Sequence, residues 1–501
     1  MIEMEDLERA IEGATHLLRS AFDVRDYKKY LFRLLLLKRL SDVFEEEAER
    51  IERETADHDL AWNEPSIHRF FVPKNSRWSY LQHLNGYDIG NKLNEVARKI
   101  EGYNSKLEGV FTSVDFEDAF KKNTARNSRD ASYYLVGLIH HLSKINFRNS
   151  NLKKGALGEV CEHLIEKYAA DAGNRGGEFY TPSQVKKLLV RLLEPQEKMS
   201  ICDPVCGTAG LLVECVSQLK QQKDNPNNLF LYGQEANYET WVIAKINLLL
   251  HDIFEFDIRL GDVINEPQLI QHGKLMQFDR VIANPPFNIK NWGYENAKFF
   301  DERFYYGIPP KSSGDFAFIQ HILFTLNSTG RAGIVVAPGV LSRGGSEGSI
   351  RRGIIEDDLI EAVIGLAPNL FYSTSIPCSI LIFNRNKSAN RKGKILFVDA
   401  KNEFQKDRHK NNLSDQELDH IVTVYRDFRD EEEYSQVVSV DEIAANDYTL
   451  NISRYVLPLE VVINFDAEIK HLGKKLLKLD AELAETESKI NEFIRELGVE
   501  I

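Results

Sequence analysis

Between residues 1 and about 150, apolar residues return at helical spacing, most clearly in Tyr27 to Phe44 and in Asp130 to Leu142. Tyr27 to Leu40 is apolar on nearly every side and broken only by Lys28, Lys29, Arg33, Lys38 and Arg39. It is therefore expected to be a core helix whose basic side chains snorkel outward. From about 155 to 400 short apolar runs alternate with helical segments, the texture of a parallel α/β sheet. Eight strands are predicted, at Met199 to Asp203, Leu229 to Glu235, Asp257 to Leu260, Arg280 to Ala283, Gly333 to Ala337, Leu359 to Ile364, Ser379 to Phe383 and Ile395 to Val398. That number suits one doubly wound, Rossmann-like domain.

After Tyr455 the period changes again. Val462, Phe465, Ile469, Leu472, Leu476, Leu479, Leu483, Ile490, Phe493 and Leu497 form a seam of alternating three- and four-residue steps, with Thr486 its polar member. A seam kept for about five heptads predicts a coiled-coil helix that needs a partner helix. The expected organisation is an all-α region over 1–150, an α/β domain over 151–455 and a coiled-coil helix over 456–501.

Composition narrows the class. With 501 residues, 43% hydrophobic and 28% charged, the chain reads as globular and longer than one core usually organises. The start, Met1 to Asp6, is acidic and lacks the pattern of a signal peptide, and the longest aliphatic run, Leu34 to Leu37, cannot span a bilayer. Five irregularly spaced cysteines do not make a disulfide framework, which fits a reducing, cytoplasmic compartment. A formal net charge of -13 predicts poor binding of nucleic acid by the chain alone. The local basic clusters, Lys121-Lys122 with Arg126 and Arg129, Lys153-Lys154, and Arg385 to Lys394, each read as solvated loops.

The sharpest chemical signal is Asn284-Pro285-Pro286-Phe287, directly after the apolar run Asp279 to Ala283. In an open α/β sheet ligands gather at the carboxyl ends of strands, so the tetrapeptide falls where chemistry is expected. An exocyclic amine conjugated to a base ring is a weak nucleophile, and two acceptors facing its two N–H bonds would localise and aim the lone pair. The Asn284 side-chain oxygen and the Pro285 carbonyl can supply them, on a backbone stiffened by consecutive prolines. Phe287 offers a face on which a flipped base can stack. Alone, the tetrapeptide reads equally well as a turn after a strand.

Other residues add to it. Asp203-Pro204-Val205-Cys206-Gly207-Thr208-Ala209-Gly210 ends the first strand and opens a helix at Leu211, with small residues that let a ligand approach the backbone. It carries no phosphate lysine, which disfavours a Walker-type site. Asp203 could receive an ammonium group, Glu235 could bond a ribose, and Asp262, at the end of the third strand, could meet an adenine amino group. Cys202 and Cys206 lack the paired partners of a zinc site, so no metal is expected. Upstream, Gly177 to Gln184 contains Glu178, Phe179, Tyr180, Thr181, Pro182 and Ser183, with Thr181 expected to cap a helix, Pro182 to occupy its first turn and Gln184 to complete a capping box.

Taken together with Asp26 to Tyr30, Leu37 to Asp42 and Ser313-Gly314-Asp315-Phe316-Ala317-Phe318, these motifs resemble the amino-directed DNA methyltransferases, and more narrowly the modification subunit of type I restriction-modification systems. The resemblance implies S-adenosyl-L-methionine as cofactor, contacted by Glu178 to Ser183, Thr208 to Gly210 and Glu235, and a target adenine held by Asn284 to Phe287. It implies double-stranded DNA, a specificity subunit that chooses the sequence, a restriction and translocase subunit, and a second modification subunit as partners. The heptad tail would dock on the specificity subunit. Ala209 departs from the family, which often has glycine there, at a cost of about 1 kcal/mol if the backbone is left-handed. Methylation of N4 of cytosine, methylation of a protein glutamine, and a noncatalytic scaffold are the competing readings.

Overall fold

A computed structural model describes residues 1–19, 24–84, 88–117, 131–172, 180–225, 228–299, 302–371, 375–406 and 410–457, with 473, 475–479, 481, 483, 484 and 486. Each long apolar run in the second half of the chain becomes a strand, because a strand buried on both faces must be apolar at every position. The strands are β1 (Ser200–Asp203), β2 (Phe230–Glu235), β3 (Phe256–Leu260), β4 (Phe278–Ala283), β5 (Leu326–Val336), β6 (Ile360–Gly365), β7 (Ser379–Asn384), β8 (Lys394–Asp399) and β9 (Ser435–Ser439). They form one nine-stranded sheet in the order β9-β8-β6-β7-β5-β4-β1-β2-β3.

The sheet is doubly wound. On one face lie the helices Ser183–Leu193, Gly210–Gln221 and Asp415–Asp427, which share a buried cluster with Ile201, Ile282, Val335 and Ile380. On the other face Asp315–Phe324 and Gly345–Glu356 cover Val281, Ile334, Val363 and Phe397. It is mixed rather than parallel throughout. β7 runs antiparallel to both β5 and β6, and β9 antiparallel to β8, whereas β1 to β5 pair in parallel. The reversal at β4-β1-β2 brings the carboxyl ends of β1, β2, β3 and β4 to one crevice, where such sheets bind ligands.

The helical region is fastened to the sheet by charge as well as by packing. Helix Val24–Thr55 buries Leu31, Phe32 and Leu34 to Leu37 in a core that also takes Val242, Ile246 and Leu249 of helix Tyr238–Leu250. Three of its basic side chains, Arg33, Lys38 and Arg39, are buried rather than snorkelling. Arg33 is fully buried, donating to the Val110 carbonyl at 2.7 Å and to Glu239 at 3.3 Å. Lys38 pairs with Asp42, and Arg39 reaches the Phe147 carbonyl, Asn149 and Asp252. A buried cation is tolerable only with such partners, and those of Arg33 and Arg39 stand on segments distant in sequence, which local periodicity cannot reveal. Lys387 is likewise buried on Asp358, and Arg391 lies over Phe428, so Arg385 to Lys394 is not simply a solvated loop. Lys121 to Arg129 lies outside the described residues.

Residues Met1–Val456 form one compact unit and Leu457–Ile501 a second. Most of the heptad seam lies outside the described residues; Leu476, Leu479 and Leu483, which are described, are helical and exposed. Among the described residues no helix is long and apolar enough to cross a membrane.

Candidate functional site

The crevice at the carboxyl ends of β1 to β4 holds a cavity of about 360 Å³, a size within the roughly 300–1,000 Å³ range of small-molecule sites. Tyr180, Thr181, Asp203, Thr208 and Gly210 line it, and so do Glu235, Asp262, Asn284 and Pro286. Pro182, Ser183, Ala209, Pro285 and Phe287 do not line it, though all but Ser183 adjoin residues that do. Glu178 and Phe179 lie outside the described residues.

Three carboxylates stand at successive strand ends, each held by backbone N–H groups. Asp203 accepts from Val205 N at 3.1 Å. Glu235 accepts from Gly207 N at 3.0 Å and Asn237 N at 2.7 Å, so it ties the glycine turn after β1 to the end of β2. Asp262 follows β3 by two residues rather than ending it, and accepts from Ile264 N at 2.8 Å and Asn265 N at 3.1 Å. An ionised carboxylate offers about four lone-pair sites, so each retains acceptor capacity toward a ligand. Burial pushes the Asp203 carboxyl up to about 8; the Val205 N–H opposes the rise and the negative charge of Glu235 adds to it. Two carboxylates forced together in a buried cavity favour a cationic occupant.

The turn between β1 and helix Gly210–Gln221 passes through Ala209, which is left-handed at φ 62° and ψ 20°. The strain of about 1 kcal/mol is real, but the Ala209 methyl is fully buried in the core beneath the sheet, and one buried methyl contributes about 0.8 kcal/mol in return. Alanine is therefore nearly neutral here.

Helix Ser183–Leu193 does not begin as the sequence suggests. Pro182 is its N-cap, with φ -55° and ψ 144°, and no side chain caps it. The Thr181 hydroxyl is engaged elsewhere, accepting from Asn284 Nδ2 at 3.0 Å, and Gln184 accepts from Ser183 instead of closing a capping box. Thr181 thus links the start of this helix to the tetrapeptide after β4. Asn284 is 8% exposed, and its Oδ1 is buried with no hydrogen-bond partner among the described residues. An orphaned buried acceptor costs about 1–3 kcal/mol. Phe287 is half-buried and packs against the sheet core.

Sequence patterns missed the supports beneath this surface. The Glu162 carboxylate accepts from Lys186 and, at 3.2 Å, from the Tyr180 hydroxyl, while Asn247 Nδ2 bridges Glu162 at 2.8 Å and the Thr208 carbonyl at 2.9 Å. Burial alone would raise the Glu162 carboxyl, but the Lys186 ammonium outweighs it and holds it below the usual range. Gln234, 1% exposed, donates to the carbonyls of Gly261 and Glu266 and so shapes the Asp262 turn. The legible signal was Lys186 itself, a cation on the helix face shared with Val190 and Leu193.

Comparison with known proteins is decisive here. Residues 152–461 match the family model described as N-6 DNA Methylase, and residues 7–142 match the HsdM N-terminal domain. The chain belongs to the N-6 DNA methylase family. The methylase subunit of the type I restriction enzyme MjaIX from Methanocaldococcus jannaschii is 30% identical to it over 96% of this chain and 89% of that one. The HindI methylase subunit from Haemophilus influenzae is 31% identical over 86% of this chain and 100% of its own length. The structure of a type I restriction-modification system methyltransferase subunit from Streptococcus thermophilus superposes with a TM-score of 0.80 at 28% identity, covering 91% of this chain and all of that one. This methylase is thus a type I modification subunit by family, a DNA methyltransferase directed at adenine N6.

Proposed function

We propose that the chain transfers a methyl group from S-adenosyl-L-methionine to N6 of an adenine flipped out of double-stranded DNA, within a type I restriction-modification complex. The observation that carries the reading is the Asn284 oxygen, buried and without a partner beside the cavity while its amide nitrogen is tied to Thr181. An acceptor left open in this way suits an N–H that arrives with the substrate.

The residues present fit the cofactor, since a cavity with Asp203 and Glu235 at one end suits a ligand that carries an ammonium and a sulfonium. When bound, it supplies a methyl group on a good leaving group. Asp203 receives the ammonium, Thr208, Ala209 and Gly210 give close backbone approach, Glu235 accepts from the ribose, and Asp262 meets the adenine amino group. Tyr180 and Thr181, which line the cavity, contact the same ligand, and Glu178, Phe179, Pro182 and Ser183 are assigned to it with them. On the target side Asn284 Oδ1 and the Pro285 carbonyl accept the two N–H bonds of the adenine amine, which directs its lone pair away from the ring. Pro286 stiffens the turn and Phe287 stacks on the base. Positioning supplies most of the acceleration, and the proton leaves only after the nitrogen has gained its methyl.

The chain divides in this reading into a helical region over 1–150, a methyltransferase domain over 151–455 and a partner-docking helix over 456–501. A specificity subunit selects the DNA site, which accommodates a net charge of -13 on this chain. The exposed Leu476, Leu479 and Leu483 support a helix of that subunit as their cover. A restriction and translocase subunit and a second modification subunit complete a cytoplasmic assembly. The test is to supply methyl-labelled S-adenosyl-L-methionine and DNA to the chain with and without its specificity partner, and to identify the labelled base. N6-methyladenine formed only with the partner is expected. Label on cytosine or on protein glutamine would replace the reading.

A further inference from the structure

Ser313 to Phe318, a motif of the resemblance, has no part in the chemistry above, yet it packs against the segment that leaves the tetrapeptide. The chain turns sharply after Phe287, with Asn288 left-handed at φ 53°, a conformation that asparagine tolerates better than most residues. Both polar ends of Asn288 are gripped. Its N–H donates to Asp315 Oδ1 at 2.8 Å, and its side-chain oxygen accepts from Arg343 Nη1 at 2.7 Å. Arg343 Nη2 pairs with the other oxygen of Asp315, and its Nε lies 2.9 Å from Glu347, which also accepts from Ser313 at 3.2 Å. Asp315 is 7% exposed and Glu347 4%. Arg351 in turn holds the Arg343 carbonyl at 2.7 Å.

Gly314 belongs to the same device. Its N–H donates to the Ile289 carbonyl at 3.0 Å, and a Cβ at this position would lie 2.7 Å from the Trp292 Cβ, so only glycine lets the segment lie this close. Trp292 is fixed from its other side by a bond from Nε1 to the Pro310 carbonyl at 3.0 Å.

Two proline rings fix φ at 285 and 286, and each restricts the residue before it. Phe287 is the member of the four that no ring restrains, and the peptide bond that follows it is the one Asp315 grips. We infer that Asp315, held by Arg343, is a positioning residue that completes the rigidity of the tetrapeptide by fixing the peptide between Phe287 and Asn288. The inference rests on the tetrapeptide's holding the target amine.

A displacement of about 1 Å at reacting groups lowers rate roughly 100-fold. In the complete complex Asp315→Ala is therefore expected to lower the single-turnover rate of methyl transfer about 100-fold, while S-adenosyl-L-methionine affinity stays within about threefold. Asp315→Asn keeps an acceptor for the Asn288 N–H and should lose about tenfold or less. Arg343→Gln, at a half-exposed position that threatens folding least, should lose about tenfold, and Arg343→Lys should recover part of it. A full single-turnover rate in Asp315→Ala and Arg343→Gln overturns the inference, and so does a loss of cofactor affinity in step with rate, which marks a merely structural role. Asn284→Ala run in parallel separates the two levels. Activity in that variant removes the reading of the tetrapeptide itself, whereas its inactivity beside a fully active Asp315→Ala removes only the positioning role.

Discussion

The two ends of the cavity are built on opposite rules. At the proposed cofactor end every carboxylate already has backbone partners, Asp203 with Val205, Glu235 with Gly207 and Asn237, and Asp262 with Ile264 and Asn265. At the proposed target end the Asn284 oxygen has none among the described residues. A carboxylate can satisfy its turn and still bind a ligand, because it has lone pairs to spare. An amide oxygen held for a single incoming N–H gains its bond when the substrate arrives. Under the proposed function, the contrast teaches that binding is assembled from stable turns, while chemistry is assembled from one group kept short of its partner.

The comparison can be broken first at its electrostatic end. With the Asp203 carboxyl raised to about 8, a cationic ligand must displace its proton at lower pH, so S-adenosyl-L-methionine affinity should rise about tenfold between pH 6 and 7. Asp203→Asn should flatten that profile and weaken binding about 100-fold at pH 8, measured by calorimetry. In the ligand-free protein the sign reverses. The unfolded chain loses this proton near pH 4 and the folded chain near 8, so the Asp203 contribution to stability falls as pH rises between those values, which denaturant melts can follow.

A smaller effect sharpens the target end. Thr181→Val removes the anchor of the Asn284 amide, leaving the side chain free to turn, and should lower kcat about tenfold while changing cofactor affinity less; Thr181→Ser should keep the rate. Smallest of all, Ala209→Gly relieves a left-handed alanine but removes a buried methyl, so stability in denaturant melts should change by less than about 0.5 kcal/mol.

The parts of the fold legible in the sequence were those written in local pattern. The eight apolar runs announced eight strands of the sheet, and the doubly wound layers followed from their alternation with helices. β9 was missed because Ser435–Ser439 carries only two apolar residues, and its edge position demands no more. β5 begins at Leu326, seven residues before the expected start, since Asn327-Ser328-Thr329-Gly330 reads as a turn. The antiparallel direction of β7 leaves no trace in its composition. At the site, strand ends located Asp203, Glu235, Asp262 and Asn284, because crevice position follows from topology. The pairings of Thr181 with Asn284 and of Arg33 with Glu239 span 103 and 206 residues, and no local pattern encodes them.

The central claim is that the Asn284 oxygen holds the target amine and does little for the cofactor. Its most direct test is single-turnover methyl transfer by Asn284→Ala in the complete complex, with S-adenosyl-L-methionine binding measured on the same sample. A fall in rate of about 1,000-fold with affinity within about threefold is expected. Turnover near that of the parent protein would contradict it.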